Sequence, residues 1–395
     1  MKKAKLIYIM GGVHSVQKSL IQHPPKGYGF LKSERFEMSP WEKKIHGLKG
    51  KLSYNPLIKN IWELAKVFYN PIVRKYKKTA DMDKNTGVKK ADFLFTGRIL
   101  PTSKPYWLEV EHVRQLMGWD IRLLKKWSGW ISEKLSQDNC KLITSYTKKG
   151  INTLIDNLPN SEKFKDKCHF VHNAVPSVRY KKNYDKKELT IAFLGSKALP
   201  YDFYMKGGII ALEAFKILSK KYEHLKFLVK PWAPEQVKKK YSGIKNLKFE
   251  GITTDYEMDL LLKEIDILVS PIHNTPAKLF LDCMNYSIPV ITTDVWANSE
   301  IVKDKYNGLL IPASKHFPYY VLNNVPNSRT KGFNKAIKNI DHKMVGNIVK
   351  KVELLIKNKG LRKKLGENGK REIESGEFSI KKRNKKYKKL FDKYF

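Results

Sequence analysis

Several side chains in this sequence are of the types that hold phosphate, and they fall at informative places. Lys206 stands in Lys206-Gly207-Gly208, directly ahead of the helical pattern IIALEAFKILSKKY. Lysine meets phosphate as a point charge, and glycine lets a backbone come close to a ligand. Thr275 and Pro276 open the stretch TPAKLFLDCMN; threonine is a good N-cap and proline suits the first helical position, so a helix is expected to start there. The amide groups at a helix start attract anions. Lys278 and Asp282 follow on one face of that helix. The same spacing also makes the two an ordinary i,i+4 surface pair.

The elements that must position these residues are legible as short apolar runs. Ile265 to Val269 and Ile288 to Thr293 are β-branched runs of the kind buried inside a parallel sheet, flanking the Thr275 helix. A helix start beyond the carboxyl edge of such a sheet is where α/β proteins hold phosphate, so a phosphate-bearing ligand is expected. Thr190 to Leu194 ends in Gly195, and Leu6 to Met10 runs into Gly11-Gly12-Val13, where glycine permits a sharp turn and close approach of a ligand. Ala91 to Thr96, Lys141 to Ser145 and His169 to Val175 are further strand candidates. At 395 residues the chain exceeds what one core usually supports, and 42% hydrophobic residues suffice for two packed interiors. The alternation of strand and helix patterns in both halves predicts an α/β protein of two Rossmann-like, doubly wound parallel-sheet domains. The expected domains are 1–184 and 185–378, joined by the polar stretch Asn183 to Lys187.

The segment Ser270 to Asp294 resembles the donor-binding signature of family-four retaining glycosyltransferases, in which two glutamates eight positions apart precede Ala-Met and a Pro-Val-Ile strand. Asp282-Cys283-Met284 and Ile288-Pro289-Val290-Ile291 fall on that pattern, with Asn274 in place of the first glutamate and Asp282 in place of the second. Asn274 keeps an acceptor and loses a charge; Asp282 keeps the carboxylate on a shorter arm. The family's Lys-Gly falls on Lys206-Gly207, while its preceding arginine is replaced by Ser196, with Lys197 beside it as the substitute cation. Leu247 to Asp266, Asn298 to Val302 (with Glu300) and Tyr306 to Pro312 follow the family's later segments in order, so that 188 to 380 is covered well.

The first half matches more loosely. Gly11-Gly12 takes the place of a loop facing donor phosphate and acceptor, and Lys104 to His112 resembles a Pro, strand, His arrangement in which the histidine touches the donor sugar. Lys141 to Ser145 and His169 to Val175 resemble the later strands of this domain, the latter ending in the family-like Asn173-Ala174-Val175. The resemblance implies the GT-B fold, two such domains facing across a cleft, with the final helix, 379–395, packing back on the first domain. It implies a hexosyl transfer with retention from a nucleotide-sugar donor to a glycan or lipid-linked acceptor. His112, Lys206 and Asn274 would be catalytic; Gly11, Gly12, Lys197, Lys206, Thr275, Lys278, Asp282 and Glu300 would bind the donor. No metal and no cofactor are implied. Asp81-Met82-Asp83 resembles the metal-binding Asp-x-Asp of another glycosyltransferase fold, but it follows RKYKKTA where that motif needs a buried strand.

Charge adds a second signal. Lysine and arginine outnumber the acids 77 to 38, a net +39 that attracts polyanions. Six of the eight tryptophans lie in the first third, and Tyr54 to Lys78 and Trp119 to Leu135 mix them with lysines, a composition suited to an anionic membrane surface as well as to core burial. Nucleic-acid binding is a weaker alternative, since no recognised module accompanies the charge. A noncatalytic nucleotide-sugar or glycan-binding descendant of the fold is the other. No apolar run is long enough to span a bilayer. MKKAKLIYIMGGVHS is too broken for a signal peptide, and Cys140, Cys168 and Cys283 lack metal spacing. A cytoplasmic protein, peripheral on the inner membrane face, is expected.

Overall fold

The computed structural model describes residues 4–10, 15–32, 76, 77, 79, 81–195, 200–230, 232–251, 254–327 and 330–395. The chain divides into two compact units, Met1–Val171 with Asn384–Phe395, and His172–Arg383.

The first unit holds a six-stranded parallel sheet of β1 (Lys5–Met10), β2 (Tyr28–Lys32), β3 (Phe93–Thr96), β4 (Tyr106–Glu109), β5 (Cys140–Ser145) and β6 (Cys168–Phe170) in the order 2-1-3-4-5-6. Its central strands are buried on both faces, which is why they read as unbroken apolar runs. The run expected from His169 to Val175 is strand only as far as Phe170; it forms the half-exposed edge of the sheet, paired on one side only. The final helix, Ile380–Tyr394, gives this unit its closing layer. Tyr387 and Phe391, four residues apart and therefore on one face, sink among Ile7, Phe93, Phe95 and Trp107. Each such aromatic contributes about 1.5–3 kcal/mol by burial. Polar ties fix its register: Tyr28 donates to Asp392 at 2.7 Å, and Lys5 Nζ to the Phe395 carbonyl at 2.8 Å.

The second unit holds β7 (Leu189–Leu194), β8 (Leu225–Lys230), β9 (Leu247–Phe249), β10 (Ile267–Ser270), β11 (Val290–Thr293) and β12 (Gly308–Ile311), all parallel, in the order 12-11-10-7-8-9. The helix Gly208–Lys221 packs with Met344, Val345 and Ile348 of the helix His342–Lys357 over the sheet residues Ile191, Phe193 and Phe227. Strand order reverses between β7 and β10, because the chain winds outward first through β8 and β9, then returns to add β10, β11 and β12 on the other side. The carboxyl ends of β7 and β10 therefore mark the topological switch point, the place at which open α/β sheets bind ligands.

The stretch 183–187, expected between domains, lies within the second unit. Val178 N donates to Asn285 Oδ1 at 3.0 Å and Tyr180 to the Lys263 carbonyl at 2.9 Å. Lys182 Nζ reaches Asp266 Oδ1 at 3.0 Å, with both side chains almost wholly buried. Lys186, inside the stretch, reaches the same Asp266 oxygen at 3.3 Å; lysines tied to a buried aspartate are invisible to hydropathy, so a docked segment reads as a polar linker. The helix Asp255–Glu264 opens on a capping box: Thr254 N donates to Glu257 Oε2 at 2.7 Å, and Glu257 N to the Thr254 hydroxyl at 3.2 Å. Thr254→Ala should cost about 1 kcal/mol in urea unfolding; a loss below about 0.3 kcal/mol would mean the box does not hold the helix start.

Candidate functional site

The site is assembled at the switch point of the second sheet. β7 ends at Leu194, level with Lys230 on β8, and Gly195 N donates to the Lys230 carbonyl at 2.6 Å. The Lys206 side chain lies across Gly195: a Cβ on that glycine would stand 2.6 Å from Lys206 Cδ and 3.1 Å from its Nζ. A side chain at 195 would push the lysine stem away from the strand end. Gly207, at φ +79, turns the chain into the helix Gly208–Lys221, and a Cβ there would fall 2.1 Å from the Pro271 carbonyl oxygen. The loop after β10 is therefore seated directly on the Lys206 loop. His273 N completes the join by donating to the Met205 carbonyl at 3.1 Å.

The second loop carries Asn274, exposed, and Thr275, half-buried. Thr275 is not the N-cap that its sequence context suggests. The helix begins at Ala277, Pro276 takes the cap position with φ −90 and ψ 64, and the Thr275 hydroxyl instead accepts from Ala297 N at 3.1 Å. A long-range bond has outcompeted the local cap. It draws the loop to the start of the short helix Asn298–Ile301, whose first turn carries half-buried Glu300. Buried Thr293, at the end of β11, donates to the Ile272 carbonyl and locks the same loop from below.

Lys206, Gly207, Asn274, Thr275 and Glu300 are thus tied together through adjoining loops. Lys278 and Asp282 sit on the helix Ala277–Asn285 and form an ion pair of 2.6 Å. Burial raises the Asp282 carboxyl above the usual carboxylate range, and Lys278 opposes it. Lys278 thus opposes the effect of burial and orients the carboxylate. Lys278→Ala should cost only about 0.3–0.5 kcal/mol of stability, while raising the donor KM several-fold; an unchanged KM in folded protein would reduce the pair to a surface contact.

Two residues here were not selected from the sequence. Lys230 is one of many lysines until the β7–β8 register sets it beside Gly195. Burial lowers the pKa of the Lys206 ammonium, with Asp202 working against this and Lys230 adding to it. The Lys230 ammonium is lowered by burial and partly restored by Glu250. Two cations held at a desolvation cost gain more from an anionic partner than solvated ones do. His273 is 3% exposed, ringed by Phe317, Tyr319 and Phe333, and neither ring nitrogen has a hydrogen-bond partner among the described residues. Burial pushes its pKa down to about 3, so it is a neutral packing element beneath the loop.

In the first unit His112 follows the carboxyl end of β4, 6% exposed and edge-on to Trp119 with centroids 5.2 Å apart. Three positions before it, at the end of β4, stands a carboxylate that the sequence reading did not select. Glu109 accepts from Gln17 Nε2 at 2.8 Å and from the Tyr387 hydroxyl at 3.4 Å. Burial raises its pKa against the Gln17 bond, and Glu111 adds to the rise. Asp83 of the Asp-x-Asp stretch accepts from Ser103 N at 2.9 Å and Ser103 Oγ at 3.0 Å, and from the Thr102 hydroxyl, so it braces a loop. Gly11, Gly12, Ser196 and Lys197 lie outside the described residues.

Residues 188–318 match the model of the Glycosyl transferases group 1 family. The matched segment contains Gly195, Lys206, Lys230, the Asn274–Thr275 loop, Asp282 and Glu300. No curated protein matches the chain by sequence. Among solved structures, it is similar to a glycosyltransferase from Rickettsia africae, with 13% identity, 100% of this chain and 99% of that one covered, and a TM-score of 0.59. HepE from Anabaena, solved with UDP and glucose, is similar at 11% identity over 98% of this chain and 99% of its own, with a TM-score of 0.56. TarM aligns at 14% identity and a TM-score of 0.51 over 73% of this chain and 50% of its own, so the chain spans half the length of TarM. At these identities the likeness is one of fold: two units, each a parallel six-stranded sheet with flanking helices, as in GT-B glycosyltransferases.

Proposed function

We propose that this protein is a retaining, metal-independent glycosyltransferase that moves a hexose from a nucleotide-sugar donor to a glycan or lipid-linked acceptor at the cytoplasmic membrane face. The observation that carries the reading is the joining of the Lys206 and Asn274–Thr275 loops at the β7/β10 switch point by the His273 N to Met205 O bond and the Gly207–Pro271 contact. Nucleotide-sugar chemistry asks for that arrangement. In glycosyl transfer the sugar gains positive charge while negative charge grows on the departing diphosphate, so cations fixed beside the diphosphate stabilise the transition state more than the bound donor.

Lys206 takes this role, and Lys230, one strand over, supplies the second cation that the family pattern places at Ser196. Lys197 remains part of the proposal as a donor contact, as do Gly11 and Gly12. Asp282, held by Lys278, accepts from the ribose hydroxyls. Asn274 and His112 contact the sugar, Thr275 holds its loop in place, and Glu300 borders the donor. Support for the donor class comes from the group 1 match over 188–318.

The test is a thermal-shift panel of UDP-, GDP-, ADP- and dTDP-linked sugars followed by release of the nucleotide in the presence of a chelator. One donor class should raise the melting temperature, since a ligand at about a hundred times its Kd stabilises by about 2.7 kcal/mol. That donor should then be turned over with the chelator present. Binding without turnover would favour the noncatalytic nucleotide-sugar-binding descendant. Activity restored only by manganese would overturn metal independence, and no shift with any donor would overturn the reading as a whole.

A further inference from the structure

The first unit contains a groove of about 640 Å³ between the helices Lys148–Asn157 and Ile380–Tyr394, along the edge strand β6. Ile151, Phe170, Val171 and Leu390 form its apolar floor, and Lys148, Lys386, Lys389 and Lys393 stand around it. The three lysines of the final helix are spaced i, i+3 and i+7, so they line one stripe of that helix, while Tyr387 and Phe391 bury the opposite face in the core. The helix is therefore held rigidly with its cationic stripe turned to the groove.

Phe170 organises the near end. Lys148 Nζ lies 5.0 Å and Lys386 Nζ 5.5 Å from the same ring centroid, which brings two like charges to one aromatic ring. Lys393 Nζ stands 4.8 Å from the Tyr394 ring, and the Tyr394 hydroxyl is 2.8 Å from His169 Nε2, which pins the far end. An apolar floor edged by four ammonium groups on aliphatic stems matches one chemistry: a phosphate headgroup whose attached hydrocarbon begins directly beneath the charge.

We infer that this groove binds the phosphate headgroup of an anionic phospholipid and is the surface by which the first unit docks on a membrane. The inference rests on the membrane-facing part of the proposed function and names its site. It differs from the aromatic-basic segments singled out in the sequence: Tyr54 to Lys78 lies almost wholly outside the described residues, and Trp119 to Leu135 does not line this groove. No helix among the described residues is long and apolar enough to cross a membrane.

The experiment is co-sedimentation of the full chain with vesicles of phosphatidylglycerol and phosphatidylcholine, and with phosphatidylcholine alone, at physiological ionic strength. Because the net charge of +39 attracts any anionic surface, the comparison is between Lys389→Gln with Lys393→Gln and an equal neutralisation in the second unit, Lys216→Gln with Lys239→Gln. All four side chains are exposed, so both variants should fold; a Lys148→Gln, Lys386→Gln variant provides a second reading of the same groove.

Each cation at the membrane surface contributes about fivefold to partitioning, so the groove pair should weaken binding by about twenty-fivefold. The second-unit pair should change it by less than about threefold. Equal losses from the two pairs would overturn the site, as would wild-type binding to phosphatidylcholine alone. Inorganic pyrophosphate supplies the free-phosphate arm: if the groove pair abolishes pyrophosphate binding but leaves vesicle binding intact, the lipid assignment falls. Donor-induced thermal shifts are measured on the same variants. Their persistence when vesicle binding is lost, or their absence when it is retained, separates failure of this inference from failure of the glycosyltransferase reading.

Discussion

Lys206→Ala is expected to lower turnover by about a hundredfold, the scale of removing one fixed stabiliser of a leaving group. The expectation follows from where the lysine is held. Its stem crosses Gly195 at the end of β7, beside the reversal of strand order, and burial already disfavours its charged form. An ammonium in that position is pre-oriented, so little reorganisation is needed when charge develops on the diphosphate. Because the side chain is only half-buried, the substitution should leave the unfolding midpoint nearly unchanged. The loss should therefore appear in kcat with the preferred donor, and Lys206→Arg should recover only part of it, since a planar fork meets phosphate differently from a point charge. A folded Lys206→Ala protein with wild-type turnover would remove this residue from the mechanism.

Gly207→Ala should be the most destabilising single change near the site, by about 3 kcal/mol. Two costs combine. At φ +79 an L residue is strained, and a Cβ would stand 2.1 Å from the Pro271 carbonyl oxygen and 2.7 Å from its carbon. A backbone carbonyl cannot swing aside as a flexible side chain can, so relief requires the β10 loop to move, and overpacking of this kind costs about 1–3 kcal/mol beyond the conformational penalty. Urea unfolding followed by a probe in the second unit measures it. The displaced loop carries Asn274 and Thr275, so donor affinity should fall in the same variant, even at temperatures where it remains folded. Stability within about 0.5 kcal/mol of wild type would show that the two loops do not meet at this glycine.

Those two expectations differ in how they could have been reached. Lys206-Gly207 was readable from its neighbours: a strand run ending in glycine, then Lys-Gly, then a helical period. The fold was readable for the same reason, because strands covered on both faces must be apolar at every position, and β7, β10 and β11 are buried along nearly their whole length. The start of the helix after β10 was misplaced. Thr275-Pro276 satisfies the local rules for a cap, yet the hydroxyl binds Ala297, 22 residues away in the chain. Local propensity describes what a residue does when nothing distant competes for it. The first unit gave up its edges less readily: β6 is short and half-exposed, and Glu109 becomes a buried carboxylate only because Gln17 and Tyr387 arrive from elements remote in sequence.

The residue types and local periods of this chain determined two sets of sheet-forming runs, the glycines that end them, and a lysine poised after one of them. Tertiary structure decided which of 77 cations matter together. Lys230 joins Lys206 through the β7–β8 register, and Lys148 meets Lys386 across Phe170 although 238 positions separate them in the chain. The physical reason is that parallel strands and returning helices create neighbours through crossover connections, and no spacing rule along the chain encodes which crossover ends beside which.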